Sequence, residues 1–494
     1  MCGIVGTKSN ETLGEIIKML TTVEHRGPDE KQVTKGWGYD LGHARLSIID
    51  LANGSQPMVD DQSGAMIVFN GEIYNFRQLR RELGGTFKTD SDTEVILRLH
   101  ASSQTPEEWL PRLDGMYALA IADANGLLLA RDPLGVKPLY VGKKDGKIVF
   151  GSEIKSVLTI TDNIMEFPPG YVFTTKAGPR PFRNIVPLKP DTYDAGEIAA
   201  ELLNRVVEAV HSRLIADVPV GVFLSGGLDS SIISAVASRL SPNIKSFSVG
   251  MEGSEDLEAA KSVAELLGTD HYERVFTLQE AVQILPKVIY HLESFDAALV
   301  RSAVANWFLC EEASKHVKVA LSGEGADELF AGYDYLAAMH GSDLSDELQD
   351  ITEALHFTNL QRCDRMSMAH GLEVRVPFLD DLKIVEYALS IPVQFKLEPS
   401  KFIEKWILRK AVEDLLPSDI VWRKKMKFAH GTGIGNQLAE WASKQIDKET
   451  FDRLQTRHKT MKIRNIEEMV YFLIFQKQFP PSKVVPLIGR SRSL

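Results

Sequence analysis

The seven residues Ser225–Ser231, S-G-G-L-D-S-S, constrain this chain more than any other stretch. An apolar run at 218–224 leads into them and a helix-like run at 232–240 leads out. Strand, glycine-rich turn and helix, in that order, bring backbone N–H groups and a helix N-terminus onto an anion. Gly226 and Gly227 let the backbone approach closely with no Cβ in the way. Ser225, Ser230 and Ser231 add hydroxyl donors and can cap the helix. No lysine follows the glycines, so this is not the G-x-x-x-x-G-K-[ST] loop. The plainer reading is a capped strand–helix turn of small residues.

The pattern keeps alternating beyond this turn. Helices are predicted at 197–215, 256–267, 278–290 and 303–316, and strands at 244–249, 271–276 and 317–321. Such alternation predicts a doubly wound parallel sheet, which binds ligands at the carboxyl ends of its strands. The last strand runs straight into Ser322-Gly323-Glu324-Gly325-Ala326-Asp327-Glu328. Acidic residues beside a phosphate repel it unless a hard cation such as Mg²⁺ lies between. Asp229 and Asp327 are therefore the expected Mg²⁺–phosphate residues; a solvated acidic loop is the plainer alternative.

A chain of 494 residues exceeds one ordinary core, so two or more domains are expected. Its net charge of −11 disfavours general nucleic-acid binding, which needs a basic face. No apolar stretch approaches a membrane span, and the first residues lack the flank and core of a signal peptide. Three scattered cysteines, Cys2, Cys310 and Cys363, suit neither a disulfide framework nor a zinc cluster. These features predict a cytoplasmic protein with reduced thiols that binds neither nucleic acid nor membrane.

The front third opens Met1-Cys2-Gly3-Ile4-Val5-Gly6. Removal of Met1 would put the Cys2 thiol beside its own α-amine, whose ordinary pKa of about 7.7–8.0 suits a base near neutrality. By position alone, a small buried cysteine is the commoner reading. The strings that follow shift that balance: His25-Arg26-Gly27-Pro28-Asp29, then Gly42–Ile48 (G-H-A-R-L-S-I), then Asn70-Gly71-Glu72-Ile73-Tyr74-Asn75, then Ser91-Asp92-Thr93-Glu94, then Ala130–Tyr140 (A-R-D-P-L-G-V-K-P-L-Y). Together these resemble the class II glutamine amidotransferases, whose nucleophile is an N-terminal cysteine.

That resemblance implies an α+β fold of the N-terminal-nucleophile type, a two-layer antiparallel sandwich with flanking helices. Hairpin signals at Asn125-Gly126 and Asp145-Gly146 agree with it. It implies Cys2 as nucleophile, the Asn70 amide and the Gly71 N–H toward the oxyanion, and Arg45 on the glutamine carboxylate. Asp92 with Glu72 would take the substrate ammonium. His25 and His43 are expected to be structural, because the N-terminal amine makes a histidine base unnecessary.

The S-G-G-L-D-S-S string resembles the PP-loop of the ATP pyrophosphatases, which cleave ATP to AMP and pyrophosphate. With L-S-G-E-G-A-D-E, Gly332-Tyr333, Asp364–Ala369, Glu373–Asp380 and Trp422–Lys425, residues 197–430 resemble the synthetase domain of glutamine-dependent asparagine synthetases. The resemblance implies ATP on Leu224, Ser225, Gly226, Gly227, Asp229, Ser230, Ser231, Val249, Ser322, Gly323 and Lys425. It places Arg301, Glu324 and Asp327 toward aspartate and its adenylate. The basic run 423–427 would otherwise be an ordinary solvated face.

The expected division is a glutaminase domain at 2–185, a proline-rich linker near 178–195, an α/β synthetase domain at 195–480 and a tail after Pro480. The implied substrates are L-glutamine, L-aspartate and ATP with Mg²⁺, acting through β-aspartyl-AMP and internally transferred ammonia; family resemblance implies a homodimer. Three alternatives stay open: an amidotransferase for another carboxylate, such as a sugar acid or antibiotic precursor; a β-lactam-forming relative without glutaminase activity; and a non-catalytic protein on a decayed enzyme.

Overall fold

Strands of alternating pattern and glycine-bearing turns build the front third. A computed structural model describes residues 1–9, 13–188, 192–398, 403–425 and 428–492. In it two six-stranded antiparallel sheets pack face to face. One runs, in spatial order, Ile164–Glu166, Tyr140–Lys144, Lys147–Gly151, Gly3–Lys8, Tyr39–Arg45 and Glu30–Gly36. The other runs Gly178–Pro181, Tyr171–Thr174, Gly126–Arg131, Gly115–Asp123, Met66–Ile73 and Met58–Val59. Ile4, Leu41, Val68, Ala118, Leu129 and Phe150 fill the space between them. Both expected hairpins form, and Asp145 (φ 50°) with Gly146 (φ 75°) has the left-handed pair that a two-residue hairpin turn requires. The Gly3–Lys8 strand is central in its sheet, so its leading residue, Cys2, is delivered between the two layers.

The second half carries a five-stranded, all-parallel sheet in the order Asp270–Val275, Lys245–Gly250, Val220–Phe223, Val319–Leu321, Glu373–Arg375. Strand order reverses beside Val220–Phe223, so the two glycine loops following Val220–Phe223 and Val319–Leu321 open at the switch point where such sheets bind ligands. The edge strand Glu373–Arg375 lies outside the strands the sequence predicted.

Several boundaries move for physical reasons. The helix expected at 303 begins at Ala297, because the Asp296 carboxylate accepts the Leu299 N–H at 3.1 Å and caps it. The expected linker at 178–195 starts later: Gly178–Pro181 is an edge strand on Tyr171–Thr174, a position where Pro179 and Pro181 are tolerated; residues 189–191 of that linker lie outside the described residues. Residues after Pro480 are not a loose tail. Pro481–Val484 is helical, Arg490 pairs with Glu468 at 3.0 Å, and the Ser491 N–H donates to Asp296 at 3.0 Å.

Buried charges join the halves. Arg26, fully buried, donates to the Cys2 carbonyl at 3.0 Å, to Glu153 at 2.8 Å and to Asp364 at 2.8 and 3.1 Å. Arg213 bonds Asp380, Asp381 and Asp114, while the Tyr74 hydroxyl donates to Asp380 at 2.9 Å. The strings H-R-G-P-D and D-R-M-S-M-A thus meet at the domain boundary, and mutual pairing is what makes buried ions tolerable there.

Candidate active sites

The front cleft forms where Met66–Ile73 passes the chain end. The Cys2 N–H donates to Asn70 Oδ1 at 3.0 Å, which leaves Asn70 Nδ2 buried with no hydrogen-bond partner. An unpaired buried donor is costly and marks a place built for an acceptor. Next to it, a Cβ on Gly71 would lie 2.1 Å from the Met116 carbonyl oxygen, so only glycine lets the strand pass. Cys2, Arg45, Gly71, Glu72, Ser91 and Asp92 share one cleft wall.

Met1 lies in the same cleft, 1% exposed, and leaves about 30 Å³ beside it. That is room for a water, not an amino acid. Removal of Met1 would enlarge the space beside the Cys2 thiol.

The electrostatics favour a zwitterion. Burial raises Asp92 to about 6, although it accepts the Ile73 N–H at 3.0 Å. Burial and then the like charges of Glu373 and Asp92 hold Glu72 well above the ordinary carboxylate range, and its Oε2 has no partner. Carboxylates raised in this way are built to receive a cation. Arg45, in the same cleft, is anchored by the Asp50 carbonyl at 2.6 Å and the Leu51 carbonyl at 3.2 Å. Burial raises the Cys2 thiol above its ordinary value, partly offset by the terminal ammonium. His43 bonds the Phe69 carbonyl at 3.2 Å and is driven to about 3 by burial, so it is neutral and supplies no base. His25 pairs with Glu153 at 3.2 Å, away from the cleft wall.

The second site is a cavity of about 510 Å³ at the carboxyl ends of the parallel strands. Its wall contains Leu224, Ser225, Gly227, Asp229, Ser230, Val249, Arg301, Ser322, Gly323, Glu324, Asp327 and Lys425. Gly226 and Ser231 belong to the same loop but lie behind that wall. Gly226 has φ 71°, and a Cβ there would strike Ala259 at 2.5 Å. The helix begins at Leu228, four residues earlier than the sequence predicted, with Gly227 at its N-cap and no side-chain cap. Ser230 instead ties the loop together, accepting the Ser225 N–H at 3.1 Å and donating to the Gly227 carbonyl at 3.1 Å. The Gly227 N–H also reaches Ser225 Oγ at 3.4 Å and the Ser231 N–H the Gly227 carbonyl at 3.0 Å, so the loop is braced from within.

The carboxylates have an unexpected neighbour. Lys405 Nζ, buried, lies 2.5 Å from Asp229 and also pairs with Asp327, which Lys425 contacts at 2.5 Å. Between these lysines Asp327 is ionised far below its ordinary range, against the upward push of burial. The sequence argument for Mg²⁺ took these acids as uncompensated; the structure corrects that premise, since lysines already balance them. Asp229 Oδ1 nevertheless remains buried without a hydrogen-bond partner. Among the described residues no group of three or more metal-binding side chains converges. Two oxygen ligands still fit Mg²⁺, which commonly takes one or two carboxylates and completes its shell with water and substrate phosphates.

Glu324 pairs with Arg362, and Arg301 donates to Glu467 at 2.8 Å, so both are fixed in the cavity wall. Arg423 reaches the Gly226 carbonyl at 3.0 Å and Lys425 the Gly332 carbonyl at 2.8 Å; the basic run is a cavity wall, not a solvated face, and its residues 426 and 427 lie outside the described residues. Sequence reasoning missed Lys405 because a lone lysine outside any motif carries no signal. Asp256, at the start of helix Glu255–Leu267, was also missed; it lines the cavity, with burial pushing it up to about 7.

Comparison with known proteins agrees with this two-site geometry. Residues 1–195 match the family described as glutamine amidotransferase domain, and residues 201–349 and 342–469 match the family described as asparagine synthase. The chain is 35% identical to asparagine synthetase B [glutamine-hydrolyzing] of Escherichia coli (strain K12), covering 97% of this chain and 92% of that protein. It is 34% identical to a probable asparagine synthetase [glutamine-hydrolyzing] of Dictyostelium discoideum, covering 99% and 96%. It is 36% identical to the asparagine synthetase [glutamine-hydrolyzing] of Sandersonia aurantiaca, covering 97% of each chain.

Proposed function

The chain belongs to the glutamine-hydrolysing asparagine synthetases, and from that premise we propose which of its residues carry each half of the reaction. The enzyme converts ATP, L-aspartate, L-glutamine and water to AMP, pyrophosphate, L-asparagine and L-glutamate. Its glutaminase unit is residues 2–185 and its synthetase unit residues 195–480.

Glutamine lies with its carboxylate on Arg45 and its ammonium on Asp92 and Glu72. The Cys2 amine takes the thiol proton, and Sγ attacks the side-chain amide carbon. Asn70 Nδ2 and the Gly71 N–H receive the oxyanion, where such donors act most strongly because they are already in place. Collapse breaks the C–N bond, the amine returns the proton to the departing ammonia, and water then releases glutamate from the thioester. The observation that carries this half is the buried, unpartnered Asn70 Nδ2 beside Cys2.

ATP lies across Ser225–Ser231, with Leu224 and Val249 toward its base and Ser322 and Gly323 at the next strand end. Asp229 and Asp327 would hold Mg²⁺, which when bound offsets charge on the departing pyrophosphate. Lys405 and Lys425 add fixed positive charge on the same side. The aspartate β-carboxylate attacks the α-phosphorus and expels pyrophosphate, with Arg301 and Glu324 flanking the aspartyl adenylate. Ammonia, passing internally from the first site, displaces AMP. A confined route keeps it unprotonated, and only the free amine is nucleophilic. We further propose a cytoplasmic location, from the three scattered cysteines, and a homodimer, on family resemblance.

The adenylate is tested with aspartate labelled by ¹⁸O in its side-chain carboxylate. One labelled oxygen should appear in AMP for each asparagine formed. Unlabelled AMP, or ADP with labelled phosphate, would overturn the adenylate route.

A further inference from the structure

The chain's first amine does not end in solvent. Met1 N lies 2.9 Å from Glu373 Oε2, both groups fully buried, although Glu373 belongs to the other domain. Glu373 also accepts from Arg375 Nε at 2.6 Å, and Arg375 Nη2 lies 3.8 Å from Glu72. A carboxylate of the synthetase sheet thus sits behind the nucleophile of the glutaminase cleft.

Two carboxyl groups, Asp92 and Glu72, already line the cleft that a substrate ammonium would enter. Glu373 does not line that cleft. Its partner at the chain end is the protein's own amine. When Met1 is removed, that amine becomes the amine of Cys2, one residue along. As an ammonium it carries three donors. Asn70 Oδ1, which already takes the Cys2 N–H at 3.0 Å, accounts for one of them. Glu373 would otherwise lose its terminal partner while staying buried, which is unfavourable for a carboxylate.

We propose that Glu373, supplied by the synthetase domain, holds the α-ammonium of Cys2 after Met1 is removed and is a positioning residue for glutamine hydrolysis. The inference rests on Cys2 being the nucleophile. A carboxylate beside this amine favours the ammonium–thiolate form of the pair over the neutral one and raises the pH at which the pair loses its first proton. The groups facing Glu373 are Arg375 on its own strand, Glu72 and Asp92 across the boundary, and Lys137. The same strand reaches the second site directly: the Arg375 carbonyl accepts the Ser322 N–H at 2.9 Å. One short strand therefore touches both reaction centres.

The test is Glu373→Gln in the full chain, with Met1 removal verified by mass. Its kcat for glutamine hydrolysis should fall about 10- to 100-fold, at the lower end of general acid–base effects, with KM for glutamine nearly unchanged. The acid limb of its pH–rate profile should move down by roughly one unit. Glu373→Asp, which restores the charge, should recover part of both. An unchanged kcat and acid limb would overturn the proposal, as would a raised KM with kcat intact, which would put Glu373 on the substrate. If Glu373→Gln also loses ammonium-supported synthesis, and so is misfolded, the profile of Glu373→Asp decides: a displaced acid limb supports the proposal and an undisplaced one overturns it. Continued hydrolysis by Cys2→Ala would instead remove the nucleophile reading itself, whatever Glu373 does.

Discussion

Cys2 and Asn70 are locked together: the Cys2 N–H occupies the amide oxygen of Asn70 at 3.0 Å and so fixes which way the amide faces. The Asn70 NH₂ group is then the buried, unpartnered end, which we assign to the oxyanion. Replacing Asn70 with Ala should lower kcat for glutamine hydrolysis about 10²–10³-fold, the usual cost of one oxyanion donor. Hydrolysis assays with unchanged KM would support that role; a loss confined to KM would assign Asn70 to substrate binding.

Cys2→Ala should lower glutamine-dependent synthesis by on the order of 10³-fold or more, since Cys2 is the proposed nucleophile. Ammonium-supported synthesis should persist, because the second cavity is built from other residues. Blocking Met1 removal should have the same consequence without touching the thiol, since it denies Cys2 a free α-amine to act as base.

Asp92 makes the glutaminase sensitive to acid. Its carboxyl, raised to about 6 by burial, must be ionised to hold an ammonium. kcat/KM for glutamine should therefore fall as pH drops through about 6, and Asp92→Asn should be weak at every pH without that inflection. The linked stability effect has the opposite sign. A carboxyl whose folded pKa is raised binds its proton more tightly when folded, so stability is lost as pH rises from about 4 to 6 and stays lost above that. Denaturant titrations of Asp92→Asn, flatter across this window than wild type, would check it.

Lys405→Met should uncouple the two halves. Removing the ammonium leaves Asp229 without its cation beside Asp327, which keeps Lys425, a loss of about 3 kcal/mol by analogy with broken buried pairs. Pyrophosphate release should fall with it, while glutamine hydrolysis in the folded fraction stays intact. Asp229→Ala should likewise stop pyrophosphate release and spare hydrolysis. Loss of both activities in folded protein would contradict two separate sites.

Much of this was legible in the chain itself. The S-G-G-L-D-S-S loop and the alternation around it announce a parallel sheet because strand and helix periods differ and glycine pairs punctuate them. Asn125-Gly126 announces a hairpin for equally local reasons. What could not be read is what only tertiary structure brings together. Lys405 reaches Asp229 across 176 positions of sequence and Glu373 reaches the N-terminus across 372. The short strand Glu373–Arg375 went unseen because three residues carry no periodicity. The lysines that balance Asp229 and Asp327 went unread as their partners for the same reason: they are distant in sequence.

The most direct measurement is pyrophosphate release by the purified protein with ATP, Mg²⁺ and glutamine, across a panel of carboxylic acids. Aspartate should stimulate it, with AMP, asparagine and glutamate formed in equal amounts. Unstimulated release with aspartate, while glutamine is still hydrolysed, would contradict asparagine synthesis and leave the two-site architecture serving another acid.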